Sequence, residues 1–216
     1  MEATRKIYFY RETRLDLDSA TLSTTVSIRL PTDVSPNFSG TKHQTSIITS
    51  NSSAEDEISF RRKYLATASS VYHSQHFNPS KRYLWRVLEN GKVFSIRAVD
   101  ISTQGNARDS YLNLRFSFPH PILPSCIALS DCQERDILSI FLLTASKHVW
   151  TLSLRPEFFR EISSMDENLM DWCNVHSPKS LGIKIPHRLV ALSADELLIS
   201  FHDGALVRLE RTLCAD

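Results

Sequence analysis

One pair of histidines in this chain has a residue type and a spacing that could bind a metal. His73 and His76 are three residues apart, but they lie in a polar stretch without a carboxylate or thiol at metal-ligand spacing. A structural or catalytic metal site needs at least three such ligands brought together. The pair therefore predicts no metal site.

A histidine–aspartate pair could form part of a nucleophilic catalytic site. His202 and Asp203 precede Gly204, however, and aspartate before glycine is typical of a hairpin turn. No nucleophile can be assigned to the pair, and the nucleophile-elbow, phosphate-loop, dinucleotide and H-E-x-x-H motifs do not occur. We predict no catalytic and no cofactor-binding residues.

Two acidic pairs have spacings that general acid–base catalysis could use. Glu134 and Asp136 form one pair, and Asp195 and Glu196 form the other. Both lie between predicted strands, where solvated turns account for acidic side chains. The chain is predicted not to be an enzyme and to need no cofactor or small-molecule substrate. A hydrolase with an unrecognised nucleophile on a β scaffold is an alternative.

The four cysteines indicate a reducing compartment. Cys126, Cys132, Cys173 and Cys214 are scattered, and none forms a C-x-x-C pair supported by histidine. The N-terminus lacks the apolar segment of a signal peptide, and the longest apolar stretch, residues 137–143, is too short to cross a membrane. We expect reduced thiols and no transmembrane segment.

The composition is that of a folded domain without a strong charge bias. The 216 residues are 42% hydrophobic and carry a formal net charge of +1. Basic clusters occur at residues 61–63 and 81–82, and residues 83–86 combine aromatic and basic side chains. Trp85 alternates with charges, however, and is predicted to point into the core. We expect no direct contact with nucleic acid.

The elements that carry these residues are predicted to be β-strands. Val26, Ile28 and Leu30 alternate with polar residues, which is typical of a half-buried strand. Residues 32–59 come next, and 11 of these 28 residues are serine or threonine without an apolar pattern. A mobile surface loop is predicted there.

Hairpin turns follow one another in the rest of the chain. Asn90 and Gly91 separate two apolar runs, and asparagine–glycine is the preferred pair for a two-residue type I′ turn. Asp203 and Gly204 separate two further runs, and residues 146–147 give a weaker turn signal between these hairpins. Three hairpins are therefore predicted.

The hairpins repeat at a nearly constant spacing. Val93 and Val149 are 56 residues apart, and Val149 and Leu206 are 57 apart. At these offsets the apolar residues after each turn share one face, and a slip of one residue would invert that face. The predicted core residues are Trp85, Phe94, Ile96, Trp150, Leu152, Val207 and Leu209.

A repeat of this length, with three or four short strands per unit, is near the size of a β-propeller blade. We predict an all-β fold, an incomplete β-propeller of about three blades of antiparallel strands. A β-sandwich or barrel with regular hairpins is the alternative. Residues 156–176 break the pattern, because Pro156 is suited to open a helix and apolar residues then recur at near-helical spacing. A short helical insertion is predicted there.

Several of these segments resemble a family of nucleoporins. This is the nucleoporin 120/160 family, the large scaffold nucleoporins of the Y-shaped outer-ring coat. The resemblance rests on the order and spacing of the segments. The segments are YLWRVLENGKV at 83–93, LRF at 114–116, PILP at 121–124, WC at 172–173, PHRLVALS at 186–193 and DGALVRL at 203–209.

The resemblance implies that residues 1–216 are the N-terminal part of a nucleoporin β-propeller. It implies a non-catalytic structural scaffold of the nuclear pore complex at the nuclear envelope. Such a scaffold supports nucleocytoplasmic transport and mRNA export through contacts with other outer-ring coat nucleoporins. Another β-propeller adaptor or coat protein, of the vesicle-coat or WD type, is the alternative, although no W-D pair is present.

Overall fold

The described part of the chain is built from β-strands. The computed structural model describes residues 25–30, 46–48, 65–74, 82–99, 111–161 and 172–211. The strands in these residues are β1 (Thr25–Arg29), β2 (Ser46–Ile48), β3 (Ala68–His73), β4 (Arg82–Leu88), β5 (Val93–Val99), β6 (Asn113–Ser117), β7 (Ile122–Cys132), β8 (Ile137–Thr144), β9 (Val149–Leu154), β10 (Cys173–His176), β11 (Pro186–Ala191), β12 (Glu196–Phe201) and β13 (Leu206–Glu210).

These strands form three sheets. The first sheet has the order β2-β1-β6-β5-β4-β3, the second β10-β9-β8-β7 and the third β11-β12-β13. Strands β3 to β6, β7 to β10 and β11 to β13 are antiparallel meanders, and β1 adds to the first sheet in parallel with β6. Strand β7 lies beside both β3 and β11, so each meander begins next to its neighbour. Successive propeller blades have this arrangement, and the predicted incomplete β-propeller is confirmed.

The core lies between the sheets in two clusters. The first cluster joins the first and second sheets, with Phe94 and Leu114 on one side and Ile140 and Trp150 on the other. The second cluster joins the second and third sheets. It includes Cys126, Phe141, Leu143, Leu189, Ile199 and Phe201. Strand β8 is buried along its whole length because both of its faces are covered. The predicted half-buried strand is confirmed, since the side chains of Val26 and Ile28 on β1 are buried.

The loop of the first hairpin is longer than the loops of the other two. Residues 89–92 form a four-residue loop in the first hairpin, and 145–147 and 202–204 form three-residue loops. The turns lie where they were predicted, but the predicted two-residue type I′ geometry is wrong. Three-residue loops of this kind end on a residue with positive φ. Lys147 and Gly204 have φ angles of 64° and 83°.

The extra loop residue reverses the orientation of the strand that follows. Phe94 faces the second sheet, whereas Trp150 faces the first sheet across the same cluster. The predicted equivalence of these two residues at an offset of 56 is therefore wrong. The offset of 57 between Val149 and Leu206 is confirmed, because Trp150 and Val207 both face the preceding sheet.

The predicted helical insertion is shorter than residues 156–176. A 3-10 helix covers Pro156–Phe159, but the last predicted residues, Cys173–His176, form β10 and pair with β9. Residues 162–171 lie outside the described residues. Phe159 packs on Tyr83 of the first sheet, with ring centroids 5.1 Å apart, so the insertion contributes to the core.

The predicted surface loop at 32–59 lies outside the described residues, apart from 46–48. Those three residues form β2, which pairs antiparallel with β1. A short strand therefore interrupts the segment that the serine- and threonine-rich composition predicted to be a loop.

Candidate interaction surface

Among the residues that the structure describes, the histidine candidates lie in separate elements. His73 ends β3, and His76 lies outside the described residues. His202 and Asp203 lie in the loop between β12 and β13, where Asp203 Oδ1 accepts a hydrogen bond from Ala205 N at 3.0 Å. That bond and the nearby Lys184 lower the pKa of Asp203. In the described ranges, no three His, Cys, Asp or Glu side chains are grouped as metal ligands.

Asp195 joins the second and third sheets. Arg211 Nη2 and Nε donate to Asp195 Oδ1 at 2.6 and 2.9 Å, and Arg135 donates to Oδ2. Arg211 Nη1 also donates to Ser153 Oγ of β9 at 2.9 Å. Burial alone would raise the pKa of Asp195, but the two arginines lower it below its ordinary value. The carboxylate therefore acts as a structural bridge.

The other acidic candidates lie in turns or on the surface. Glu134 and Asp136 are exposed in the turn between β7 and β8, where Asp136 has a φ of 48°. Glu196 forms an ion pair with Arg208 on the neighbouring strand β13. Sequence reasoning missed the bridge at Asp195, because its partner Arg135 is 60 residues away. An acidic residue in a turn was the only local signal.

Asp131 of β7 joins the edge strand β3 of the first sheet to the second sheet. Tyr72 Oη donates to Asp131 Oδ1 at 2.6 Å, Ser74 Oγ donates to Oδ2, and Asp131 N donates to Tyr72 Oη at 3.1 Å. Burial, followed by the bond to this carboxylate, raises the pKa of Tyr72 above its ordinary range. The pair holds β3 against β7.

The predicted core residues lie at the two contacts between sheets. Phe94, Ile96, Trp150 and Leu152 are buried in the first cluster, and Trp85 stacks on Phe94 at a centroid distance of 6.0 Å. Residues Val207 and Leu209 are partly buried against the second cluster. The predicted turn residues occupy two of the hairpin loops. They are Asn90, Gly91, Asp203 and Gly204.

One end of the second and third sheets carries a well-anchored connection, residues 177–185. We call this end, with hairpin loops 145–147 and 202–204, the loop end. Leu181 is buried in the second cluster, and Lys147 Nζ donates to Gly182 O. The connection is therefore held by both sheets.

The outer face of the third sheet is partly apolar. Val190 is 41% exposed and Leu206 is 63% exposed, and both point away from the second sheet. Within the described residues, β13 has a strand partner on one side only, whereas β9 at the corresponding place in the second sheet pairs with both β8 and β10. This face and edge have the features of a surface that packs against further protein.

Three consecutive meanders, with cores between them and loops at their ends, define a β-propeller domain. The family model described as "Nucleoporin Nup120/160, beta-propeller domain" matches residues 82–216, which include strands of all three sheets. The chain belongs to this family.

Two curated relatives agree with the family match. The chain is 36% identical to nucleoporin NUP120 of Chaetomium thermophilum over 202 residues, which are 94% of this chain and 16% of the relative. It is 22% identical to nucleoporin nup120 of Schizosaccharomyces pombe over 155 residues, 72% of this chain and 13% of the relative. The chain thus spans less than a fifth of the length of either relative, and the resemblance seen in the sequence is confirmed.

Family membership also gives the location. The chain belongs to the nucleoporins, which are proteins of the nuclear pore complex at the nuclear envelope. Across the residues that the structure describes, no helix has the length and apolarity to span a membrane.

Proposed function

We propose that this chain is a non-catalytic module of the outer-ring scaffold of the nuclear pore. In this role it supports nucleocytoplasmic transport and mRNA export by contacting other outer-ring coat nucleoporins. The observation that carries the proposal is the family match, which includes strands of all three sheets. The placement of Asp195 and Asp203 in ion pairs and turns gives further support, because these carboxylates stabilise the fold.

Residues 1–216 form the N-terminal part of the propeller in this proposal. A further sheet then packs on the outer face of the third sheet, as the third packs on the second. The exposed side chains of Val190 and Leu206 support this, since burying them removes apolar surface from water.

Affinity purification of the tagged full-length protein tests the scaffold role. We expect several other outer-ring coat nucleoporins to copurify, and an unrelated tagged β-propeller to recover none of them. Recovery of the full-length protein without any coat nucleoporin would contradict the proposal.

Depletion of the full-length protein tests the transport role separately. We expect polyadenylated RNA to accumulate in the nucleus, as seen by in situ hybridisation, and re-expression to reverse the effect. Unchanged RNA distribution, together with normal copurification, would leave the scaffold role and refute the export role.

A further inference from the structure

Two isoleucines project from the loop end. Ile183 is 97% exposed and Ile185 is 68% exposed. Single exposed hydrophobic side chains are ordinary on protein surfaces. Two of them on one three-residue segment form a small apolar patch, whose contact with water is unfavourable.

The backbone that carries the isoleucines is fixed from both sheets. Ile185 O accepts a hydrogen bond from His202 N of the third sheet at 3.1 Å, and Gly182 O accepts one from Lys147 Nζ of the second sheet. Isoleucine also has few χ1 rotamers. A partner would therefore meet the two side chains with little loss of conformational entropy.

Three lysines belong to the connection that carries the isoleucines or contact its backbone. Lys179 and Lys184 belong to the same connection, and Lys147 binds it from the neighbouring loop. Asp203 is the acidic residue of the adjoining hairpin loop, and its Oδ2 lies 3.1 Å from Lys184 Nζ. Three lysines against one carboxylate leave a positive excess at this site. An apolar segment flanked by aspartate or glutamate complements it.

In the proposed propeller, the site lies away from the face that a further sheet would cover. The connection 177–185 crosses the ends of the second and third sheets, both of which are present in the structure. A further sheet would pack on the outer face of the third sheet, where Val190 and Leu206 lie, and would leave the loop end open.

We infer that Ile183 and Ile185, with the lysines around them, bind a segment of another protein in which apolar residues are flanked by aspartate or glutamate. The inference deepens the proposed scaffold function and rests on it, because it names the chemistry of one protein contact. The apolar pair supplies the buried centre of the contact, and the lysines supply its basic rim.

Photo-cross-linking in the full-length protein, within its native assembly, tests the inference. p-Benzoylphenylalanine replaces Ile183, and in the control it replaces Glu134, which is exposed at the opposite end of the sheets. A cross-link from position 183 alone to a peptide of another protein with acidic and apolar residues would support the inference, and a cross-link within the same polypeptide would overturn it. A peptide without acidic residues, adducts to lipid only, or no adduct above the control would overturn it.

A synthetic peptide with the cross-linked sequence then measures affinity. The Ile183→Ser, Ile185→Ser double variant should bind it about tenfold more weakly or worse. Leu192→Ser changes a 52% exposed leucine elsewhere and should bind it as the wild type does. Equal affinity of the double variant and the wild type would overturn the inference.

Two further measurements separate the alternatives. Binding to vesicles of phosphatidylcholine and phosphatidylserine in equal amounts, lost in the double variant, would assign the site to a membrane and overturn the inference. The full-length double variant should still reach the nuclear pore while it loses the cross-linked partner. Absence of the wild-type protein from the pore would instead refute the proposed function.

Discussion

Asp195 lies in a turn, yet it accepts hydrogen bonds from Arg135 of the second sheet and from Arg211, which follows the third. The amide of Asp195→Asn has one neutral oxygen in place of two charged ones, so it cannot accept charge-assisted hydrogen bonds from both guanidinium groups. We expect the free energy of unfolding to fall by about 1–2 kcal/mol, as measured by urea denaturation. Glu134→Gln is the control, because it changes an exposed carboxylate in a turn. Equal losses in the two variants would contradict the bridging role.

The same residue predicts a dependence on pH. The pKa of Asp195 is lowered in the folded state, so its contribution to stability is present above the unfolded value of 3.8 and is lost as the pH falls through the folded value. The stability difference between the wild type and Asp195→Asn should therefore narrow below about pH 4. Urea denaturation at several pH values measures this stability difference. A difference that widens in acid would contradict the predicted direction of the pH dependence.

The cysteines differ in burial, and their reactivity should differ accordingly. Burial raises the pKa of Cys126 to about 11 and that of Cys173 to about 12, whereas Cys132 is only half-buried. The thiolate is the reactive form. In a Cys214→Ser background at pH 8, we expect a maleimide to label Cys132 first and the other two only after urea is added. Mass spectrometry of digested samples measures the order, and early labelling of Cys173 would contradict it.

At the level of elements, the hairpin loops decide which face of each strand is buried. The first loop, 89–92, has one residue more than 145–147, and this residue turns Phe94 toward the second sheet. Lys147 takes the place that Gly204 has in the third hairpin, with positive φ in both. The second and third hairpin loops therefore share the same backbone geometry at this position, although the residue types differ.

Glycine substitutions test the loops, because the two positions differ in the space around them. Gly204 has a φ of 83° and no atom within 4 Å of an added Cβ, so Gly204→Ala should cost about 1 kcal/mol from backbone strain alone. Gly91 has a φ of 90°, and an added Cβ would lie 3.2 Å from Pro121 Cβ. We expect Gly91→Ala to cost at least about 1 kcal/mol more. Thermal or urea unfolding measures both, and an equal cost would show that the contact with Pro121 relaxes freely.

At the level of the whole molecule, the outer face of the third sheet is the surface that a further sheet of the proposed propeller would cover. Replacing Val190 and Leu206 by lysine should reduce self-association of the chain, because both side chains are exposed. In the full-length protein the same change should lower the melting temperature, since a further sheet would have to bury the two lysines. Analytical ultracentrifugation and calorimetry measure the two effects.

The matched control for this face is Ile183→Lys at the loop end. It should leave the melting temperature of the full-length protein unchanged, because the loop end stays open in the proposed propeller. An unchanged melting temperature in the Val190 and Leu206 variant as well would contradict the packing of a further sheet.

Strand β1, the positions of the three hairpin turns and the β-propeller class followed from the sequence by itself. The alternation of Val26 and Ile28 and the glycines of two turns are local signals, and they depend on side chains a few residues apart. The order of the hairpin segments also identified the nucleoporin family before any contact was known. The predicted helical insertion extended into β10, because near-helical spacing at 172–173 did not reveal the pairing of β10 with β9.

Only the tertiary structure decided how the sheets face one another. One additional loop residue inverts the face of a strand, and loop length could not be read from the asparagine–glycine pair alone. Asp195 and Arg135 meet across 60 residues, and the exposure of Ile183 depends on how two sheets meet at their ends. These features arise from contacts between distant parts of the chain, which local spacing does not encode.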